Sequence, residues 1–395
     1  MKITFLRRKT KGYGLFARAI GLVTASLLLG AGTFASADSL HKKTHNFEFT
    51  NVVDSTQGYS KFETFPAINN QGGVVFVAVK GGDQGVFVAR NGAVTTIASE
   101  ASGLHFFGID PAINASGVVA FGATTPANTR AIFTGTGGPL TLIVDSLASG
   151  LVKNVVGSPS INAAGTVAFS AVRNERGLPS SIYSVTGGPL TTLLNTASTG
   201  FRAFGNVDIN DAGKIVFHGF LQDGNEGIFI GTSSPAVVVS TATNPELANG
   251  FNDAVINNGG TVAIIGFRSA GGIQVLTGNT RQLTPRNNPA QPAFTLAEHP
   301  SLNNRGAVAF YAFPAGDPSE PTGIFLEASG GTSLIPVVRP GDRLFGSTVV
   351  SVGLGRFGLN DRFELAFQYV LEDGRSGIAI AAYNGENEQN DDRQN

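Results

Sequence analysis

The residues able to do chemistry in this 395-residue chain stand at matching places in a recurring pattern. Asp110, Asn206, Asp208, Asp253, His299 and Arg356 each lie one or three residues ahead of an Ile-Asn or Leu-Asn pair. In a strand, residues two apart share a face. The position between them is apolar in every copy (Pro66, Pro111, Pro159, Val207, Ala254, Pro300, Phe357). If these strands line the axis of a ring, the six side chains face a common channel mouth and form a candidate ligand-binding site. Three carboxylates and one imidazole are an oxygen-rich set for a hard cation such as Ca²⁺, or for acid–base work, with Arg356 as counter-charge. The same residues also suit a structural role, as solvated mouth residues or as acceptors for loop amides, and the sequence leaves both readings open.

Other chemistries are excluded more firmly. There is no Cys, so disulfides, thiolate catalysis and cysteine-ligated metals are ruled out. No nucleophile elbow, H-E-x-x-H or phosphate loop occurs. One G-x-G-x-x-G, Gly353 to Gly358, enters a strand where a dinucleotide site needs a helix. No resident cofactor is expected; Ca²⁺ is the one candidate.

The positioning elements come from an internal repeat. Ile68-Asn69, Ile113-Asn114, Ile161-Asn162, Ile209-Asn210, Ile256-Asn257, Leu302-Asn303 and Leu359-Asn360 open seven copies, spaced 45, 48, 48, 47, 46 and 57 residues apart. Gly follows three residues after each Asn, except that Phe363 takes its place in the last copy. Seven residues after each Asn stands a large apolar residue: Phe76, Phe121, Phe169, Phe217, Ile264, Phe310 or Phe367. Asn-x-x-Gly reads as a tight hairpin corner, because Asn bonds backbone nearby and Gly accepts positive φ. The third copy predicts strands near 157–162, 166–172, 180–185 and 190–194. Four-stranded units of this length, repeated seven times with no helical periodicity, predict an all-β chain, a seven-bladed β-propeller over residues 46–383. The seventh copy stops before its fourth strand. Phe49–Ser55 (FTNVVDS) resembles the fourth strand of the second copy, Leu140–Ser146 (LTLIVDS), so an N-terminal strand is expected to complete the last blade.

The blade pattern Ile-Asn-x-x-Gly-x-Val-Ala-Phe, followed by Ile-Phe and Gly-Gly-x-Leu-Thr, resembles the repeats of TolB-type propellers. It is more closely similar to the bacterial secreted choice-of-anchor tandem-repeat proteins, with their Asn-x-x-Gly-x-x-Ala-Phe repeats. The resemblance implies the propeller fold and an exported protein, and brings no established activity with it.

Residues 1–37 read as a signal peptide: six basic residues, an apolar run from Ile20 to Phe34, and the small-x-small site Ala35-Ser36-Ala37. A linker (38–45) and a disordered acidic tail (384–395) flank the propeller. Removing the leader leaves 21 of the 27 basic and all 28 acidic residues, about −7, which disfavours nucleic acid and anionic membrane as partners. The expected product is a monomeric protein secreted to the periplasm or the cell exterior, a binding or scaffold protein whose loops meet an extracellular protein or glycan. The alternative is a carboxylate-based hydrolase or lyase working at the channel mouth, with Ca²⁺ as its candidate cation. The loops entering the innermost strands carry Phe106, Phe107, Phe201, Phe204, Phe251, Phe294 and Phe345, which serve either as core or as an exposed aromatic surface.

Overall fold

The computed structural model describes residues 46–385 except 109, 147–153, 156–157, 173–179, 288–293, 315–322 and 329. The expected leader, the linker and the tail from residue 386 lie outside the described residues. Seven antiparallel sheets follow one another along the chain as the four-stranded blades of a seven-bladed β-propeller. In blade 3 the strands are Ser160–Ile161, Val167–Val172, Ser180–Val185 and Thr191–Asn195, with Asn154–Val155 also pairing along Val167–Val172 beside the innermost one. Only the innermost strand is markedly shorter than expected, a short pairing beside the axis.

Each blade is glued by one cross-strand pair. Phe76 pairs with Phe87, Phe121 with Phe133, Phe169 with Tyr183, Phe217 with Phe229, and Phe310 with Phe325. Their ring centroids lie 5.6 to 6.0 Å apart at interplanar angles of 19° to 30°, an offset stacking that adds to the area each ring buries. Blade 5 uses Ile264 opposite Leu276, and blade 7 sets Phe367 against Ala379. The alternate face of the same strand holds small residues such as Ala120, Ala168, Ala263 and Ala309, all buried against the neighbouring blade. Large against small is what lets twisted sheets stack around an axis without voids.

The repeated corner does two jobs. Each Asn side-chain oxygen accepts from the backbone N–H four residues on, at 2.8 to 3.0 Å in all seven copies. Each Asn Nδ2 then donates to the backbone carbonyl of the Asn in the next blade: Asn69 to Asn114, and so on through Asn162, Asn210, Asn257 and Asn303 to Asn360, at 3.0 to 3.1 Å. Asn360 donates to Asn69 at 3.1 Å and closes the loop. The corner glycine lies at φ of 75° to 86° in six copies, and Phe363 takes φ 59° in the seventh. A Cβ at Gly165 would meet nothing, so the glycine is there for its backbone angle alone.

Closure by the N-terminal strand is as expected. Phe47–Asp54 pairs antiparallel with Ser376–Tyr383, from Phe47 opposite Tyr383 to Asp54 opposite Gly377. Tyr369 donates its hydroxyl to Asn51 at 3.0 Å, and Asn51 donates to Asp54 at 2.7 Å. Asp54 also accepts from the backbone and hydroxyl of Thr56. Burial pushes the Asp54 carboxyl up, but the bonds from Thr56 and Asn51 and the charge of Arg375 outweigh it and hold the group below 3.8.

Two predictions follow from these contacts. Asn210→Ala is expected to destabilise the fold by ~2–4 kcal/mol, because buried backbone groups lose their partners. Asn210→Asp keeps the turn-forming oxygen but replaces the donor facing Asn257 with an acceptor. It should therefore be at least as damaging at pH 7 and recover toward pH 4, where the carboxylic acid regains a proton; a harmless Asn210→Asp in urea melts would reduce the Asn to a turn former. At the closure, a depressed folded pKa means stability that is present above the unfolded pKa and lost as pH falls through the folded one. Asp54→Asn is expected to destabilise by ~1 kcal/mol at pH 7 and to flatten the loss of stability below about pH 4. An unchanged acid limb would show that the bond network at Asp54 does not hold the closing strand.

Candidate functional site

Each innermost strand has a neighbouring blade on both sides, and this decides where its side chains go. Ala67 joins the apolar cluster shared with Val119 and Phe121 of blade 2, whereas Ile68 joins Ala366 and Ile378 of blade 7. Period-2 alternation therefore separates the two neighbours of a blade, not channel from core. Of the six side chains expected at one channel mouth, the five that are described are accordingly distributed.

Asp110 accepts from the Phe65 backbone N–H at 3.1 Å, and Asn206 accepts from that of Ser158 at 3.3 Å. In both cases the acceptor of one blade caps an amide of the preceding blade. His299 adopts φ 30° with its ring 6.4 Å from Phe65. Phe65 itself lies over Gly355, where an added Cβ would come within 2.7 Å of the Phe65 Cβ. Asp253 lies on the strand Phe251–Ile256, and its side chain is outside the described residues. Of the five whose side chains are described, Asp208 and Arg356 alone line a cavity on the axis. Among the described residues no three His, Asp or Glu side chains gather as metal ligands; of the expected cation set Asp110, Asp208, Asp253 and His299, the Asp253 side chain lies outside the described residues.

The cavity measures about 180 Å³, below the roughly 300–1,000 Å³ of drug-sized ligand sites. Inner-strand residues of all seven blades enclose it, from Ala112, Ser160 and Val255 to the repeated asparagines. Phe357 lines it as well, and packs against the clusters joining blades 1 and 2, 2 and 3, and 5 and 6. One aromatic ring thus bridges several blades across the axis. Its backbone carbonyl accepts from the Ile68 N–H at 2.9 Å. The G-x-G-x-x-G run is the bend that delivers Arg356 and Phe357 to this place, with small residues where Phe65 and Leu354 press close.

Asp208 is 4% exposed. Its Oδ1 accepts from Ser160 Oγ at 2.5 Å and from the Ile209 N–H at 2.9 Å, and its Oδ2 accepts from the Ile256 N–H at 2.8 Å. Blades 3, 4 and 5 are tied by this one carboxylate. Burial pushes its pKa above 3.8, against the pull of Arg356 and the three bonds. Ser301 plays the lesser part between blades 6 and 7, its Oγ accepting from the Leu359 N–H at 2.9 Å.

The cavity rim is built from the residue after each repeated Asn, which sequence reasoning passed over. Ala163 N–H donates to Asp211, Asp211 to Asn258, Asn258 to Asn304, Asn304 to Asp361, and Asp361 to Asn70, at 2.6 to 3.0 Å. Asn or Asp at this place in five of seven copies was the available signal. The loop phenylalanines are mostly core: Phe107, Phe201, Phe204, Phe251 and Phe294 are buried. Phe106 differs, being 54% exposed at φ 54° with the Arg130 guanidinium 4.6 Å from its ring centre.

A closed all-β ring with a blocked axis is the class these features define. Residues 50–283 match the model of a family of unknown function, DUF7453, and the chain belongs to that family. No curated protein matches it. Among solved structures it is similar to the β-propeller domain of the trilobed protease from Pyrococcus furiosus, described as an open velcro topology. That pair shares 12% identity over 82% of this chain and 97% of the other, with a TM-score of 0.53. It is also similar to oligogalacturonate lyase from Vibrio parahaemolyticus, with 13% identity over 85% and 97% of the two chains and a TM-score of 0.53. The likeness to TolB from Acinetobacter baumannii spans 68% of this chain and 61% of TolB, with 14% identity and a TM-score of 0.42. The first two likenesses establish the propeller fold. No helix among the described residues is long and apolar enough to cross a membrane.

Proposed function

We propose that this chain is an exported propeller that binds an extracellular glycan through the loops entering its inner strands, without turning it over. The observation that carries the reading is Phe106. A bulky residue at positive φ is strained, and such strain persists where the surroundings impose it, often at binding sites. Here the strain presents a large apolar ring to solvent, with Arg130 fixing its place. Aromatic rings in polar loops suit the apolar faces of sugars. The leader sequence supports export, as does the similarity of the repeats to those of choice-of-anchor proteins.

The hydrolase or lyase reading has one observation in its favour, the buried Asp208 with its raised pKa. A single carboxylate already accepting three hydrogen bonds is a poor general base, and carboxylate-based glycosidases work with a pair. A glycan array probed with purified protein and with Phe106→Ala tests the proposal. The expected outcome is a discrete set of bound glycans, lost about tenfold or more in the variant while its melting temperature stays put. Release of shortened products from the array would instead favour the enzyme, and binding indifferent to Phe106→Ala would move the site elsewhere.

A further inference from the structure

Beside the exposed Phe106 ring stands a cation that the protein leaves without a carboxylate. Arg130 is half-buried, with its guanidinium carbon 4.6 Å from the ring centre. Between residues 100 and 146 it is the only Lys or Arg, among the three carboxylates Glu100, Asp110 and Asp145. All three are engaged elsewhere: Glu100 accepts from the Gln84 N–H, Asp110 from the Phe65 N–H and Asp145 from the Thr129 hydroxyl, at 2.9 to 3.1 Å. Among the described residues the Arg130 guanidinium donates no hydrogen bond and forms no ion pair. Ring and cation are also fixed in place. His105 exchanges both backbone hydrogen bonds with Thr124, at 2.9 and 2.7 Å, and Thr124 stands opposite Arg130 in the next strand. Phe107 N–H donates to the Gln84 side chain at 2.9 Å, and its ring is buried 6.0 Å from Phe121. Ser146 bonds both backbone groups of Arg130, at 3.1 and 2.9 Å. An added Cβ at Gly108 would fall 2.6 Å from a Phe106 ring carbon, so the loop is shaped to the ring.

Groups held in this way lose little freedom when a ligand arrives. The guanidinium presents donors in a planar fork whose geometry matches a carboxylate. A sugar hydroxyl would also accept from it, but a hydrogen bond between two ions is about twice as strong as a neutral one. A ligand that uses both groups therefore carries an anion and a C–H-rich face side by side. A hexuronate does so within one pyranose ring, whereas a neutral hexose supplies the apolar face alone. We propose that the Phe106–Arg130 pair takes a hexuronate unit of a glycan, its apolar face against Phe106 and its carboxylate on the Arg130 guanidinium. The proposal rests on the reading of this loop as a glycan surface and narrows it to acidic chains.

Oligomers of glucuronate, galacturonate and mannuronate, each beside its methyl ester, are titrated calorimetrically into the purified protein. The ester keeps the shape of the sugar and removes its charge. At least one uronate is expected to bind about tenfold or more tighter than its ester. Most of that margin should vanish as salt rises from about 50 to about 500 mM, because an exposed ion pair is screened. Arg130→Gln should bring acid and ester to the same affinity with the melting temperature unchanged. Arg130→Lys should keep a salt-sensitive preference of about threefold for the acid, since the ammonium has the charge without the fork. A role for Arg130 in packing alone would give neither effect. Neutral glycans and esters bound as tightly as acids, and still lost in Phe106→Ala, would overturn the acidic assignment and leave the glycan reading standing. Binding to no glycan at all would overturn both. Binding confined to sulfated sugars, or an acid preference retained in Arg130→Gln, would overturn this proposal.

Discussion

Seven asparagine side chains, each donating to the carbonyl of the next, are the constraint on which the rest of this molecule depends. A single such bond contributes on the order of 1 kcal/mol. Their importance lies in closure: the same amide sets its own corner through Oδ1 and its neighbour's position through Nδ2. Sheets can otherwise stack at many rotations per repeat, in open solenoids as well as rings. A girdle that returns from Asn360 to Asn69 admits one rotation only. The N-terminal strand closes the ring a second time, at the outer edge of blade 7, through seventeen residues (Phe47–Asp54 and Ser376–Tyr383 with Tyr369).

The axis follows from the girdle. Corners drawn together leave a narrow bore, and the bore is filled by what blade 7 delivers. Blade 7 lacks the corner glycine, carries the longest spacing before it, and supplies Arg356 and Phe357. The irregular blade is therefore the one that blocks the channel. The ring's chemistry concentrates where the repeat is broken, and its stability where the repeat is kept. Phe106 obeys the same division: it belongs to a loop outside the repeated positions.

Much of the fold was legible because the repeat reports on packing. The Ile-Asn-x-x-Gly spacing marked the corners, and the phenylalanine seven residues on marked the inward face of every second strand. The absent fourth strand of the last copy marked the closure. What was not legible is the direction of the inner-strand side chains. Alternation states that Asp110, Asn206 and Asp208 share a face, but a blade in a ring has a neighbour on each side, and the pattern cannot tell a neighbour from an axis. Phe357 was visible as the largest member of a position otherwise held by Pro, Val and Ala. Its meaning required knowing that the position lies next to the bore.

Native-state hydrogen exchange at the corner amides tests the central claim most directly. The amides of Gly73, Val118, Thr166, Lys214, Thr261, Ala307 and Glu364 all donate to a girdle asparagine. If the girdle is one cooperative element, all seven exchange only through global unfolding, with a common free energy and a common denaturant dependence. A graded series, with the corners of one blade opening well below the rest, would show a stack of independent repeats and contradict the account.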